Sequence, residues 1–325
     1  MLRLDVDDGS DPAALIRLWS DFSGWDQPSV EVWTERLRRG PHGPALIVVA
    51  RDEDSDDLVG QLAFLPCPVS VDGRSQQGAR TFAAIVHPRR RGLKPSSPLE
   101  HPLVAMYLHG AAQLQSAGKH LIYMLPDSSL TRFLEQATAM GLGPYFSVGR
   151  LPLWSRPIGG ESPQLNPGHA ARDVVPSDDA LDALWDRARR RHRCVAARGA
   201  AALRWKLSIL QSAPLAVTRG DELVAFALGR AKGVGQWLVE DLIAVDDEAA
   251  EAALAGMLRE AATRSAADPR LTKVGILANH DLQPVLGRLG FRRDDYDFLL
   301  AVHRLSDELS QAEIAPERWY VTADD

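Results

Sequence analysis

Two short stretches of the chain carry residues whose types and order could do chemistry. The first reads Ala84-Ile85-Val86-His87-Pro88-Arg89-Arg90-Arg91-Gly92. An apolar strand gives way there to a basic, proline-marked turn, and a helix is expected beyond it. Successive backbone N–H groups at such a strand-to-helix turn form a positive nest for phosphate oxygens. A glycine lets the backbone approach closely, and neighbouring cations add charge. His87, at the strand end, is a candidate acid or base, or simply a turn residue. The second stretch reads Trp237-Leu238-Val239-Glu240-Asp241-Leu242-Ile243-Ala244-Val245. Burial of a carboxylate on an apolar strand raises its pKa toward that of a useful base. Strict alternation puts Glu240 and Asp241 on opposite faces, so only one can face a given cleft. The plainer alternative is a solvent-facing acid pair.

The elements that must position these residues repeat. Helical spacing of Leu15, Leu18, Trp19 and Phe22, then of Trp33 and Leu37, predicts two helical segments within 11–37. Strands are expected at 45–50, 58–64 and 81–86, with Asp72-Gly73 as a hairpin turn between the last two. A helix follows from Pro102, its stripe formed by Leu103, Met106, Tyr107, Ala111 and Leu114. Then come a strand at 121–125, a helix at 130–140 ended by Gly141, and a strand at 145–153. After a polar, Gly- and Pro-bearing stretch, the second half predicts helices at 178–188 and 200–210. Strands are expected at 215–218, 223–230 and 237–245, and a long Ala-rich helix at 248–266. A strand at 274–277, a helix at 282–289 and a strand at 298–303 close the series. One element order at half-chain spacing points to two copies of one fold.

The chain has 325 residues, enough for two domains. Lys and Arg total 37 against 43 Asp and Glu, a net charge of −6, which argues against a uniformly basic nucleic-acid binder. Cys67 and Cys194 form no CxxC pair, so neither a disulfide framework nor a metal cluster is expected, and the cytoplasm is the natural compartment. The acidic N-terminus has no apolar signal core, and no run approaches the roughly 18 apolar residues of a membrane span.

The stretch from Ala84 to Gly92 resembles the acyl-CoA loop of the GNAT superfamily. Leu58-Val59-Gly60-Gln61 before it and Met140-Gly141-Leu142 after it resemble further landmarks of that family, with Leu in place of the usual Phe. The likeness covers most of 45–154. It implies an α/β (α+β) chain of two GNAT-like domains, each a mixed, mostly antiparallel sheet flanked by helices. The expected boundaries are 1–157, a linker at 158–170, and 171–325 with a C-terminal tail. It implies a donor, acetyl-CoA or another acyl-CoA, held by Ile85, Val86, Arg91, Gly92, Leu93, Lys94, Ser96 and Ser97. Lys94 and Pro95 depart from the family's glycine pattern, and Pro95 removes a donor. In the second half, Trp237 to Val245 resembles the family's fourth strand, where acids such as Glu240 or Asp241 draw a proton from the attacking amine. Asn279 and Gly290-Phe291 match the closing helix. The phosphate loop is missing there, because Val245 passes through Asp246-Asp247-Glu248 directly into helix. The family's tyrosine acid falls on Ala137 and Leu286, which cannot donate a proton.

The resemblance therefore implies an N-acyltransferase whose acceptor is an amine of a small molecule or peptide, with His87, Glu240 and Asp241 as catalytic candidates. Two alternatives stay open. The basic strip Arg187, Arg189, Arg190, Arg191, Arg193, Arg198 and Arg204 could bind a tRNA acceptor stem, as in aminoacyl-tRNA-dependent transferases of tandem GNAT build, or be a solvated helix with acidic partners. The chain could also be a non-catalytic binding module. Cys67 and Tyr123 are expected to serve packing, and the tail bearing Trp319 and Tyr320 to dock back on the protein.

Overall fold

The computed structural model describes residues 2–9, 11–23, 27–91, 100–126, 146–160, 163–233, 235–278 and 280–323. In chain order the first half gives β1 (Leu2–Val6), α1 (Pro12–Phe22), α2 (Val30–Arg38), β2 (Leu46–Asp52), β3 (Leu58–Pro66), β4 (Val69–Val71), β5 (Arg74–Gln76) and β6 (Gly78–Val86). It continues with α3 (Pro88–Arg91), α4 (Pro102–Ser116), β7 (Leu121–Met124) and β8 (Phe146–Pro157). The second half gives β9 (His169–Arg172), α5 (Asp178–Ala188), β10 (Cys194–Ala196), α6 (Ala200–Leu210), β11 (Ala213–Arg219), β12 (Glu222–Lys232) and β13 (Gln236–Ala244). Then follow α7 (Asp247–Ala267), β14 (Lys273–Leu277), α8 (Gln283–Arg288), β15 (Arg292–Arg304) and β16 (Trp319–Tyr320). The helix expected at 130–140 and the Met140-Gly141-Leu142 landmark lie outside the described residues, as do Ala137, Tyr145 and Asn279.

The chain forms two compact units. Unit 1 is Met1–Val69, Ser75–Val148 and Leu299–Pro316; unit 2 is Ser70–Arg74, Gly149–Phe298 and Glu317–Asp325. These differ from the contiguous halves 1–157 and 171–325 chiefly at the closing strands. The C-terminal end of β15 belongs to unit 1, where Ala301 to Arg304 pair with Met124 to Leu121. Most of β8 belongs to unit 2, where Leu153 to Pro157 pair with Leu277 to Lys273.

In unit 1 the strand order is β1-β2-β3-β6-β7, followed by the end of β15. Every pairing is antiparallel except β6 with β7. Asp11 caps α1 by accepting the Ala14 N–H, with Pro12 in the first turn, and Ser29 caps α2 through the Val32 N–H. Of the expected stripe on α4, Met106, Tyr107, Ala111 and Leu114 are buried against Val48, Leu62, Phe64 and Val86, while Leu103 is half-buried. Each such side chain contributes about 1.5–3 kcal/mol on burial. Gly110 makes this approach possible, because a Cβ there would fall on the Phe64 ring. The other face of the sheet carries Trp19 and Trp33 against Phe82. The expected turn at Asp72-Gly73 forms, both residues at positive φ, but it belongs to unit 2 and joins β4 to β5.

In unit 2 the order is β8-β14-β13-β12-β11-β9, parallel only between β13 and β14. The Ala-rich α7 packs on one face against Leu215, Val217, Val239 and Ile276. On the other, Leu181 and Leu184 of α5 and Leu203 of α6 meet Ala216, Phe226, Leu228 and Ile243. The tail docks: β16 pairs in parallel with β10, and Trp319 and Tyr320 are buried. Among the described residues no helix is long and apolar enough to cross a membrane.

Candidate functional site

In unit 1, β6 and β7 pair only through Gly78, Ala79 and Arg80 against Leu121, Ile122 and Tyr123. Among the described residues, the rest of that edge of β6, up to Val86, has no strand partner, so the sheet splays open beside Ile85 and Val86. A bulge lies in the same stretch. Gln61 pairs with Ile85 and Ala63 with Phe82, leaving Leu62 opposite both Ala83 and Ala84. Ala83 takes a φ of 53°, a conformation costing an ordinary residue about 1–3 kcal/mol, and Ala84 is exposed.

Rings pack around this end of β6. Phe82 stacks on Trp19 at 5.4 Å, and the Arg36 guanidinium lies 4.9 Å from the Phe82 centroid. Phe22 meets His87 edge-on at 4.4 Å. The His87 backbone N–H donates to the Val59 carbonyl, and its Nδ1 accepts the Arg89 N–H at 3.1 Å. An accepting Nδ1 leaves Nε2 as the nitrogen that carries the proton. The arginines of the turn are already engaged. Arg91 donates to the Val86 carbonyl at 3.0 Å, Arg89 to Asp57 at 2.7 Å, and Arg90 to Asp52. The hydrogen bond from Arg90 holds the Asp52 carboxyl below its usual range, and that from Arg89 does the same for Asp57. Gly92, Leu93, Lys94, Ser96 and Ser97 lie outside the described residues. Cys67 sits 3.4 Å from the hydroxyl of the buried Tyr123.

In unit 2, β13 and β14 also pair only over Gln236 to Val239 before the strands part. A second bulge falls at Glu240, because Leu228 pairs with Asp241 and Gly229 with Val239. Alternation lapses at such a point. Both carboxylates therefore meet partners from the α6 segment, which corrects the expectation that they point to opposite faces. Asp241 Oδ2 accepts from Lys206 at 2.5 Å and Oδ1 from Arg198 Nε at 2.7 Å. Glu240 Oε2 accepts from Ser212 at 2.6 Å and Oε1 from Arg230 Nε at 2.7 Å. Each residue is 1% exposed, so neither is a solvent-facing acid. The expected rise in pKa is also reversed at Asp241. Burial pushes its pKa up, but the charges of Lys206 and Arg198 outweigh burial and hold it below the ordinary carboxylate value.

No family model matches the chain, and no curated protein matches it in sequence. Solved structures match its fold. A GCN5-related N-acetyltransferase from Anabaena variabilis ATCC 29413 superposes with a TM-score of 0.68 at 13% identity, covering 94% of this chain and 73% of that one. A tandem GNAT protein from the clavulanic acid biosynthesis pathway gives a TM-score of 0.60 at 16% identity, covering 94% of this chain and 99% of that one. The chain has a tandem GNAT fold. Saccharomyces cerevisiae N-myristoyltransferase, solved with bound myristoyl-CoA and inhibitors, gives 0.62 at 13% identity over 93% of this chain and 79% of that one.

Within this tandem GNAT fold the two bulges differ in chemistry. Unit 1 places Ala83 and Ala84 at its bulge, and unit 2 places Glu240 and Asp241. The helix after the splayed strand of unit 2 is closed to an anion by its own acids. Asp246 accepts the Ala249 N–H at 2.8 Å, Arg219 Nη2 binds Asp246 at 2.9 Å, and Arg191 binds Asp247. Leu286, at the family's tyrosine position, is fully buried.

Most of the basic strip has acidic partners, and Arg198 is buried. Arg187 pairs with Glu222, Arg189 with Asp186, Arg191 with Asp247, Arg198 with Asp241 and Arg204 with Asp178. Among the described residues no cluster of His, Cys, Asp or Glu could hold a metal ion. Sequence reasoning missed the contacts of Trp19 with Phe82 and of Phe22 with His87, since both residues read simply as the core stripe of a helix. It also missed the Tyr107–His303 pair, joined at 2.8 Å across almost two hundred residues.

Proposed function

We propose that this protein is an N-acyltransferase with one donor site, at the splayed β6–β7 edge of unit 1. The observation that supports this reading best is the unpaired edge of β6 beside Ile85 and Val86, next to the bulge at Ala83. Free strand N–H and C=O groups there suit the amide-bearing arm of an acyl-CoA, and residues 91–97 would meet its phosphates. The acceptor amine attacks the thioester carbonyl, the C–N bond forms, the C–S bond breaks, and the thiol leaves. The proton shed by the amine passes to the departing thiolate, and the neutral His87 would hydrogen-bond the leaving sulfur through Nε2–H. Much of the rate would come from holding amine and thioester in line.

In this reading Glu240 and Asp241 hold unit 2 together and take no proton from substrate, because both are saturated by cations and a hydroxyl. Unit 2 binds no second donor, because its helix is capped by Asp246 and ringed by Arg191 and Arg219. A panel of CoA thioesters tests the reading. Saturating acetyl-CoA, or a longer acyl-CoA, should raise the Tm, and Lys94→Ala should weaken the effect. A flat response to every thioester would remove the reading.

A further inference from the structure

β1 is an outermost strand of the large sheet and pairs on one side only, with β2. That pairing is regular from Leu2 to Val6, whereas the pairings of β2 with β3 and of β3 with β6 are both interrupted. Sheet edges are commonly blunted by a proline or a bulge, and β1 has neither. One hydrogen bond fixes the direction of its main-chain groups. The Asp7 N–H donates to the Ile47 carbonyl at 2.8 Å, so Asp7 turns its polar groups toward β2. Alternation gives Asp5 and Arg3 the same direction and turns the N–H and C=O groups of Leu2, Leu4 and Val6 outward. Among the described residues no strand takes them up. The side chains divide in the same way. Leu2 and Leu4 pack on the rim of the core that holds α4, and Val6, on their face, is 46% exposed. Arg3 and Asp5 lie on the other face, partly in solvent, and pair with each other at 2.8 Å.

We propose that the open edge of β1 is an interaction surface whose partner is a second copy of this chain. Two β1 strands laid antiparallel about a two-fold axis at Leu4 bring outward groups to outward groups. Leu4 exchanges both main-chain bonds with the partner's Leu4, and Leu2 does the same with the partner's Val6. Arg3 then stands beside the partner's Asp5, in the closer, non-hydrogen-bonded pairs of the ladder. Symmetry sets Asp5 beside the partner's Arg3. On the apolar face Leu2 covers the partner's exposed Val6. The charges also select the register. A slip of two residues either way sets Asp5 against the partner's Asp5, or Arg3 against the partner's Arg3. Such a two-fold contact closes on itself, giving a dimer and nothing longer. The inference is independent of the donor site proposed for unit 1.

The test is sedimentation velocity on the whole protein, from about one to a few hundred micromolar, since so short an edge falls at the weak end of protein interfaces. The expected result is a monomer–dimer equilibrium with no larger species. Arg3→Asp and Asp5→Arg each place like charges across the axis, and each should weaken the dimer about tenfold or more. Their Tm should fall by no more than a few degrees, because the ion pairs they break are exposed. An equimolar mixture of the two variants should dimerise again, as should the double variant R3D/D5R, because opposite charges then face each other. Amide hydrogen exchange at Leu4 and Val6 should slow as the protein concentration rises. A monomer at every concentration, or assembly beyond the dimer, overturns the inference. So does a dimer that survives both reversals, a mixture of the variants that stays monomeric, or a dimer whose Leu4 and Val6 amides exchange no more slowly than the monomer's.

Discussion

Lys206 and Asp241 form a buried ion pair, Nζ to Oδ2 at 2.5 Å, and Arg198 completes it from the other oxygen. Removing one partner strands a charge out of water. Lys206→Met should cost about 3–5 kcal/mol in urea unfolding. The folded pKa of Asp241 lies below its unfolded value of about 3.9, so the stabilisation is complete above that pH and is lost as pH falls through it toward the folded pKa. The variant should show a shallower acid loss than the parent. A cost below about 1 kcal/mol would mean the pair is solvated.

Glu240→Gln separates structure from catalysis. The Ser212 and Arg230 contacts make Glu240 a packing acid, so the variant should lose stability while folded molecules keep their turnover with acetyl-CoA. A fall in kcat of about a hundredfold or more, at unchanged Tm, would instead make Glu240 the base.

His303 Nδ1 is hydrogen-bonded to the Tyr107 hydroxyl at 2.8 Å, its ring stacks on Phe146, and burial pushes its pKa down to about 4. The unfolded chain binds this proton near pH 6.5, the folded chain only near 4. Stability is therefore complete above pH 6.5 and falls between 6.5 and 4, by at most about 3 kcal/mol. His303→Gln keeps an acceptor for Tyr107 but cannot be protonated. Its Tm should drop less than the parent's between pH 7 and pH 5, and equal drops would refute the assignment.

Gly110 lets α4 lie against the sheet of unit 1, and a Cβ there would fall on the Phe64 ring. Gly110→Ala should cost about 1–3 kcal/mol despite alanine's better helix propensity, measured as a lower midpoint in urea. A stabilised variant would show that α4 packs less closely.

The two-copy architecture was legible because helix period, strand alternation and Asp72-Gly73 are local signals. Several strands escaped, among them β4 and β5 beside the Asp72-Gly73 turn. β1, β9, β10 and β16 are short, and each depends on a distant partner: Leu4 on Ala50, Ala171 on Val217, Val195 on Tyr320. The exchange of β8 and β15 between the units escaped for the same reason. At the candidate site, the run from Ala84 to Gly92 pointed to the end of β6, where the donor is proposed to bind. At the acid pair the expected direction and pKa shift misled, because alternation says nothing of a bulge and composition cannot show that Lys206 and Arg198 meet one aspartate.

The central claim is one donor site per chain, in unit 1, and calorimetric titration with acetyl-CoA tests it most directly. The account predicts a stoichiometry of about one per chain, binding lost in Ala84→Trp, which fills the exposed, unpaired edge of β6 with an indole, and binding kept in Glu240→Gln. No heat with acetyl-CoA or a longer thioester, two sites per chain, or binding that survives Ala84→Trp and disappears with Glu240→Gln would contradict it.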